Sequence, residues 1–289
     1  MAVRPLCAAI AGTLLFAQSA LAHQPVMDMA PRWSGGFGIQ VRQEYRATDD
    51  VLQGSSDVHG TPSRSRRVRT TWLEGVYTFD REQRITLKVP WVDQRREVVQ
   101  GAAVRSETGS GFGDPILGLP IKRYYNDSEG TGNFGITPSV RIPIGSTGGD
   151  YPVADGSWDF GLSASYSAST RTVYQLYDLF YWSNGSGRNG INRGDEVGFD
   201  MNLGLHFYHD NSTNSGAFLM LDVAARYQGR GHDTGGTTGG KRISTGPVLV
   251  IYRDNVMLRG EFSIPVYESV RGTQFSRGTG FNLGIGAAF

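Results

Sequence analysis

The side chains that could do chemistry are mostly charged, and they fall within stretches of alternating polar and apolar residues. They are Arg42, Glu44, Glu74, Lys88, Lys122, Arg141, Asp178, Asp200, Asp222, Arg226, Arg242, Arg259 and Glu261. If each stretch is a strand, these residues share its polar face. A face of mixed sign can line a passage, set a field across it and favour small polar or weakly amphiphilic solutes. It can equally pair across an interior and fill it, because buried charges need partners. Both readings stay open at this level.

Other chemistries are thinly supplied. A nucleophilic hydrolase needs a serine beside a histidine that a third group orients. His206 and His209 lie at the end of one alternating stretch, and His59 and His232 fall in connecting segments. No Gly-x-Ser-x-Gly elbow occurs, and Ser183 and Ser186, near Asn184 and Asn189, read as loop residues. Gly109 to Asp114 has the glycines of a phosphate loop but neither the lysine at the required spacing nor a following helix. His23, Met27 and Met29 are soft ligands of the kind copper takes, on a short polar lead that reads equally as a plain terminus. No catalysis and no metal or other cofactor is therefore expected. The 28 basic and 27 acidic residues leave no basic excess, so nucleic acid is not an expected partner.

The elements that must position the charges are strands. Period two runs through Gly35–Arg46, Val68–Phe79, Arg84–Val92, Phe112–Tyr125, Asn133–Ile144, Ser157–Ser167, Thr172–Trp182, Val197–Phe207, Gly216–Tyr227, Lys241–Tyr252, Val256–Val266 and Gly278–Phe289. The eighth is unbroken: Val197, Phe199, Met201, Leu203, Leu205 and Phe207 oppose Gly198, Asp200, Asn202, Gly204 and His206. The register of the second, fourth, seventh and tenth stays open; in the seventh, an inward Asp178 would turn Tyr177, Leu179 and Tyr181 outward. Strands this long match the roughly 9–11 residues that cross a bilayer at a tilt, whereas strands of soluble proteins are commonly about 5–6 residues long. The connections alternate between short and long along the chain. Short ones include Asp80–Gln83 and Arg253–Asn255, and long ones include Thr48–Arg67 and Asp93–Gly111. That rhythm fits an all-β, transmembrane antiparallel β-barrel of about twelve strands, with short turns on the periplasmic side and long loops outside. Closure also satisfies every backbone group in lipid. Trp33, Trp72, Trp91, Trp158 and Trp182 fall near strand ends, where aromatic girdles would stand.

The first 22 residues read as a signal peptide. Arg4 supplies the positive charge, Leu6 to Ala17 the apolar run, and Ser19-Ala20-Leu21-Ala22 the cleavage site. The lone cysteine, Cys7, falls inside it, so no disulfide is expected. Residues 23–289 then form the barrel, with 23–32 as a short periplasmic lead. After the N-terminus no stretch offers the roughly 18 apolar residues of a membrane helix.

Two resemblances add to this reading. In the last stretch Phe281, Leu283, Ile285 and Phe289 share one face, and Asn282, Gly284 and Gly286 the other. This resembles the C-terminal strand of bacterial outer-membrane barrels, which implies recognition by the barrel-assembly machinery. Gly111-Phe112-Gly113-Asp114-Pro115, followed by Lys122-Arg123-Tyr124 and by Ile142-Pro143-Ile144-Gly145, resembles the outer-membrane proteins named for the phenol meta-cleavage pathway. Ile144 stands where threonine is usual. The resemblance implies transport of hydrophobic or aromatic compounds and carries over no catalytic residue. Physically, Gly111 and Gly113 permit a tight bend and Asp114 can bond backbone amides there. The expectation is a channel in the bacterial outer membrane that passes small compounds passively, with membrane lipid and a small solute as partners. A lipid-acting barrel enzyme and a closed structural or adhesive barrel are the alternatives.

Overall fold

The computed structural model describes residues 33–58, 64–100, 103–126, 128, 130–188, 190, 192–232 and 238–289. The signal segment 1–22, the lead 23–32 with His23, Met27 and Met29, and also His59 and Asn189, lie outside them.

Every described element is a strand. In chain order they are β1 (Phe37–Thr48), β2 (Val51–Gly54), β3 (Ser56–Asp57), β4 (Arg66–Thr78), β5 (Arg84–Gln100), β6 (Ala103–Phe112), β7 (Ile116–Gly118), β8 (Ile121–Asn126), β9 (Thr131–Arg141), β10 (Asp159–Ser169), β11 (Val173–Asn184), β12 (Glu196–Asp210), β13 (Ser215–Gln228), β14 (Gly240–Arg253), β15 (Val256–Phe275) and β16 (Thr279–Ala288). Neighbours along the chain pair antiparallel, and β16 pairs with both β15 and β1, which closes the ring. At the seam the Phe37 and Phe289 backbones exchange hydrogen bonds of 2.9 and 2.7 Å. β6, β7 and β8 are one interrupted stave between β5 and β9, and β2 with β3 is a flap on the long-loop end of β15. Among the described residues the wall is therefore a closed antiparallel barrel of twelve staves.

The alternation decides which way the wall faces. Val41, Leu73, Leu87, Leu162, Leu179, Leu203, Leu249 and Ile285 are exposed on the outside, although they are large and apolar, so the outer face is built for lipid. In the last stave Phe281, Leu283, Ile285 and Phe289 point outward. Its inner face is nearly bare, because Gly280, Gly284 and Gly286 alternate with them. Polar turn residues make the short connections: Asp80 Oδ1 accepts the Glu82 and Gln83 amides at 2.7 and 2.8 Å, and Asn214 and Asp254 take positive φ, as tight turns require.

Three expectations change. The stretch Asp93–Gly111 is not an irregular loop. β5 runs on to Gln100 and pairs with β6 as a hairpin continuing the wall outward. β15 likewise extends to Phe275. Trp91 and Trp158 face outward, but Trp72 and Trp182 face inward, beneath the guanidinium groups of Arg42 and Arg141 at 5.2 and 4.8 Å. Those rings cover half-buried cations of the lumen rather than mark a membrane interface.

Candidate functional site

The lumen holds a cavity of about 600 Å³ that runs along most of the barrel. Its wall includes Arg46, Glu74, Lys88, Lys122, Asp178, Asp200, Asn202, Asp222, Arg226, Arg259 and Glu261.

Most of these charges cancel locally. Arg42 Nε donates to Glu74 Oε1 at 2.9 Å and lies 3.6 Å from Glu44, whose other side takes Arg46 Nε at 2.7 Å. Arg226 lies 2.7 Å from Asp200 and stacks over Phe180 at 4.7 Å. Arg259 donates to Glu261 at 2.8 Å, and Arg242 to Glu268 at 3.2 Å. Arg141 pairs with Asp159, a buried carboxylate that also accepts Ser157 Oγ and the Gly185 amide at 2.7 and 2.9 Å. Arg277 reaches into the cavity from the connection between β15 and β16. Burial, with the Arg46 and Arg226 cations nearby, pushes its guanidinium down to about 10, so it stays charged at neutral pH.

Other inward charges are not ion-paired among the described residues, Arg84 and Arg277 among them. Lys88, Asp178 and Asp222 likewise have no ion-pair partner among those residues. Asp178 faces Asp200 directly across two neighbouring strands, a pairing of like charges that destabilises a sheet. Asp222 Oδ1 accepts the Asn202 amide at 2.9 Å. Asn202 Oδ1 and Asp178 Oδ1 are buried without a partner. β5 is third and β13 ninth around the twelve staves counted from β1, so Lys88 and Asp222 stand on opposite walls. An unpaired cation on one wall thus faces an unpaired carboxylate on the other.

Toward the short turns one side of the lumen is apolar. Tyr174, Phe218, Met220, Val248, Val250, Tyr252 and Met257 pack into a buried cluster, with Leu176 against it. The His206 ring stacks on Phe218 at 4.1 Å and 7°. The Tyr252 hydroxyl lies 3.3 Å from both His206 Nε2 and His209 Nδ1. Ser183 and Ser186 sit at the other, long-loop end, away from both imidazoles, so that arrangement offers no serine–histidine pair.

The two glycine-containing motifs meet. Asp114 Oδ1 accepts the Gly145 amide at 2.8 Å across 31 residues. A Cβ on Gly145 would lie 2.6 Å from Ala154 Cβ and 2.7 Å from the Gly113 carbonyl carbon. The motifs form one clasp that ties the interrupted stave to the connection between β9 and β10. Asp114→Ala should cost about 1–3 kcal/mol, because it strands a buried amide. A lower urea midpoint, with faster thermolysin cleavage within 142–158, is the expected result; an unchanged midpoint would show the clasp to be idle.

These features define a class: a transmembrane β-barrel of the outer-membrane type, with a polar lumen and no internal domain among the described residues. The chain belongs to the family described as "Putative MetA-pathway of phenol degradation", which it matches over residues 42–289. Its fold is similar to that of an outer membrane channel from Pseudomonas putida F1, at 16% identity and a TM-score of 0.65, covering 89% of this chain and 96% of that one. More distant are the translocator domain of the autotransporter NalP from Neisseria meningitidis (13% identity, 89% of each chain, TM-score 0.44) and the β domain of the Bordetella autotransporter BrkA (11%, 89% and 100%, TM-score 0.43). No curated protein matches the chain.

Proposed function

We propose that this barrel is a passive channel for small amphiphilic compounds, aromatic ones among them. The observation that carries the reading is the lumen itself. It offers a cavity of about 600 Å³, within the roughly 300–1,000 Å³ of small-molecule sites. Its charges are mostly self-neutralised, and its wall includes Tyr174, Leu176 and Trp182 beside Asp178. Paired charges neither attract nor repel a weakly polar solute strongly, and the apolar patch gives a ring a surface to cross. The family's description supports an aromatic solute. Arg42, Glu44, Glu74, Lys88, Lys122, Arg141, Asp200, Asp222, Arg226, Arg259 and Glu261 are the proposed path, with Lys88 and Asp222 setting its polarity. Gly111, Gly113 and Asp114 hold the wall. Phe281, Leu283, Ile285 and Phe289 are proposed as the strand read by the assembly machinery.

The test is single-channel recording of refolded protein with phenol and cyclohexanol added. Solute-dependent block of a steady conductance supports the channel. A folded barrel that passes neither ions nor solute would overturn it and favour the closed reading. Asp178→Asn with Asp222→Asn should shift the reversal potential toward anion selectivity, and Lys88→Gln toward cation selectivity. Equal reversal potentials in all three would show that the unpaired charges do not set the field.

A further inference from the structure

The outer wall carries charge where lipid begins to give way to water. Along β4 the outward residues counted from the short-turn side are Tyr77, Gly75, Leu73, Thr71, Arg69 and Arg67. Phe79, just beyond the strand, is exposed below them. Arg69 is ten residues from Phe79, or roughly 33 Å along a strand. At a tilt of about 35–45° that is roughly 25 Å along the membrane normal, the height of the apolar band of such barrels. Arg69 therefore stands at the outer interface, with Arg67 one step farther out.

The register assembles a site around them. Arg69 lies between Tyr45 on β1 and Asp93 on β5. Arg67 pairs in register with Arg95. These residues, with Thr108 and Ser110 of β6, line a shallow concavity on this face. Both Arg67 and Arg69 are exposed, and among the described residues neither has an ion-pair or hydrogen-bond partner. Arg95 has only Glu97, at 3.7 Å. The carboxylate in register with Arg69, Asp93, already accepts the Ser110 hydroxyl. One row nearer the membrane centre, Trp91 and Phe112 meet edge to face at 4.8 Å, and Leu73 is exposed beyond them. Cations without partners thus sit directly above an aromatic and aliphatic surface.

We propose that Arg67, Arg69 and Arg95 form a binding site on the lipid-facing wall for a phosphorylated lipid of the outer leaflet. Guanidinium groups take phosphate oxygens in a planar two-bond geometry, and Tyr45 and Thr108 offer hydroxyls beside them. The acyl chains run down over Phe112, Trp91 and Leu73. A soluble anion would gain only the first part of this surface, so the site selects an anchored phosphate. The site lies outside the lumen and does not depend on what the lumen carries.

The test uses the refolded full-length mature barrel in a zwitterionic detergent. Diphosphorylated lipid A, the same lipid stripped of phosphate, and inorganic phosphate are added in turn, and bound lipid is counted by native mass spectrometry. Lipid A should bind, the dephosphorylated lipid should bind at least about tenfold more weakly, and inorganic phosphate should not displace lipid A at equal concentration. Arg67→Gln with Arg69→Gln should weaken lipid A binding about 25-fold, at about fivefold for each cation near a charged interface. Arg69→Lys should restore less than Arg69 itself, because the planar fork is lost. Equal binding of both lipids would overturn the proposal, as would equal binding by free phosphate or by the double variant. If the double variant does not give a heat-modifiable barrel, Arg69→Gln alone carries the same comparison.

Discussion

Leu203→Arg should stop the barrel from assembling, while Ser165→Arg should not. Leu203 is the eighth residue of the fifteen in β12 and is exposed on the outer face. An arginine at the bilayer midplane costs about 2–4 kcal/mol, a large part of the roughly 5–15 kcal/mol that holds a folded domain. Ser165 lines the cavity and lies directly opposite Asp178 in register. An arginine there has room and gains a carboxylate that has no cation of its own. The measurement is the fraction of refolded protein that migrates as a heat-modifiable band. Normal folding of Leu203→Arg would mean that Leu203 does not face lipid and that the inside–outside assignment of β12 is wrong.

The second large effect belongs to Phe218. Its side chain is 1% exposed, at the centre of the apolar side of the lumen. It stacks on His206, meets Tyr174 edge-on at 5.7 Å and lies 6.0 Å from Tyr252. Phe218→Ala removes the centre of that cluster and should cost about 3–5 kcal/mol. The same truncation should widen the short-turn end of the lumen. A lower urea midpoint together with a higher single-channel conductance is expected, and Phe218→Leu should fall between the two. A lower midpoint with unchanged conductance would mean that the cluster stabilises the wall without narrowing the passage.

Much of this architecture was legible because lipid imposes period two on the outer face. A slip of one residue would turn every aliphatic side chain of β12 inward, so Val197 to Phe207 can be read in only one register. The charged residues were legible for the same reason, as the polar half of that alternation. Their partnerships were not. Arg42 with Glu74 depends on the register between β1 and β4, and only closure of the ring sets Lys88 across the lumen from Asp222. The apolar cluster was hidden for a different reason. Ala217-Phe218-Leu219-Met220-Leu221 and Val248-Leu249-Val250-Ile251 are apolar on both faces, so alternation gives no sign of where the lumen turns dry. Trp72 and Trp182 misled because residue type alone does not separate a ring that covers an arginine from a ring at a membrane interface, and Trp72 falls mid-strand. The clasp was half legible: both motifs stood out, but not that Asp114 reaches Gly145.

The bare inner face of the last stave bears on the order of events. β1 and β16 join residues about as far apart as the chain allows; Arg42 bonds Asn282 across 240 positions. Contacts at such separation form late, because the intervening chain must first be gathered. At that moment β16 brings to the gap Gly280, Gly284 and Gly286, and the side chains that fill the space belong to β1: Arg46 stands within 2.9 Å of where a Gly280 Cβ would lie, and Gln40 within 3.1 Å at Gly284. One edge arrives furnished and the other smooth. The two can slide until their backbone groups engage, with little beyond the Arg42–Asn282 contact to undo on the lumen face if the first encounter is out of step. The ring thus closes like a zip with teeth on one side only, and errors of alignment at the seam stay reversible until the final hydrogen bonds between Phe37 and Phe289 are made.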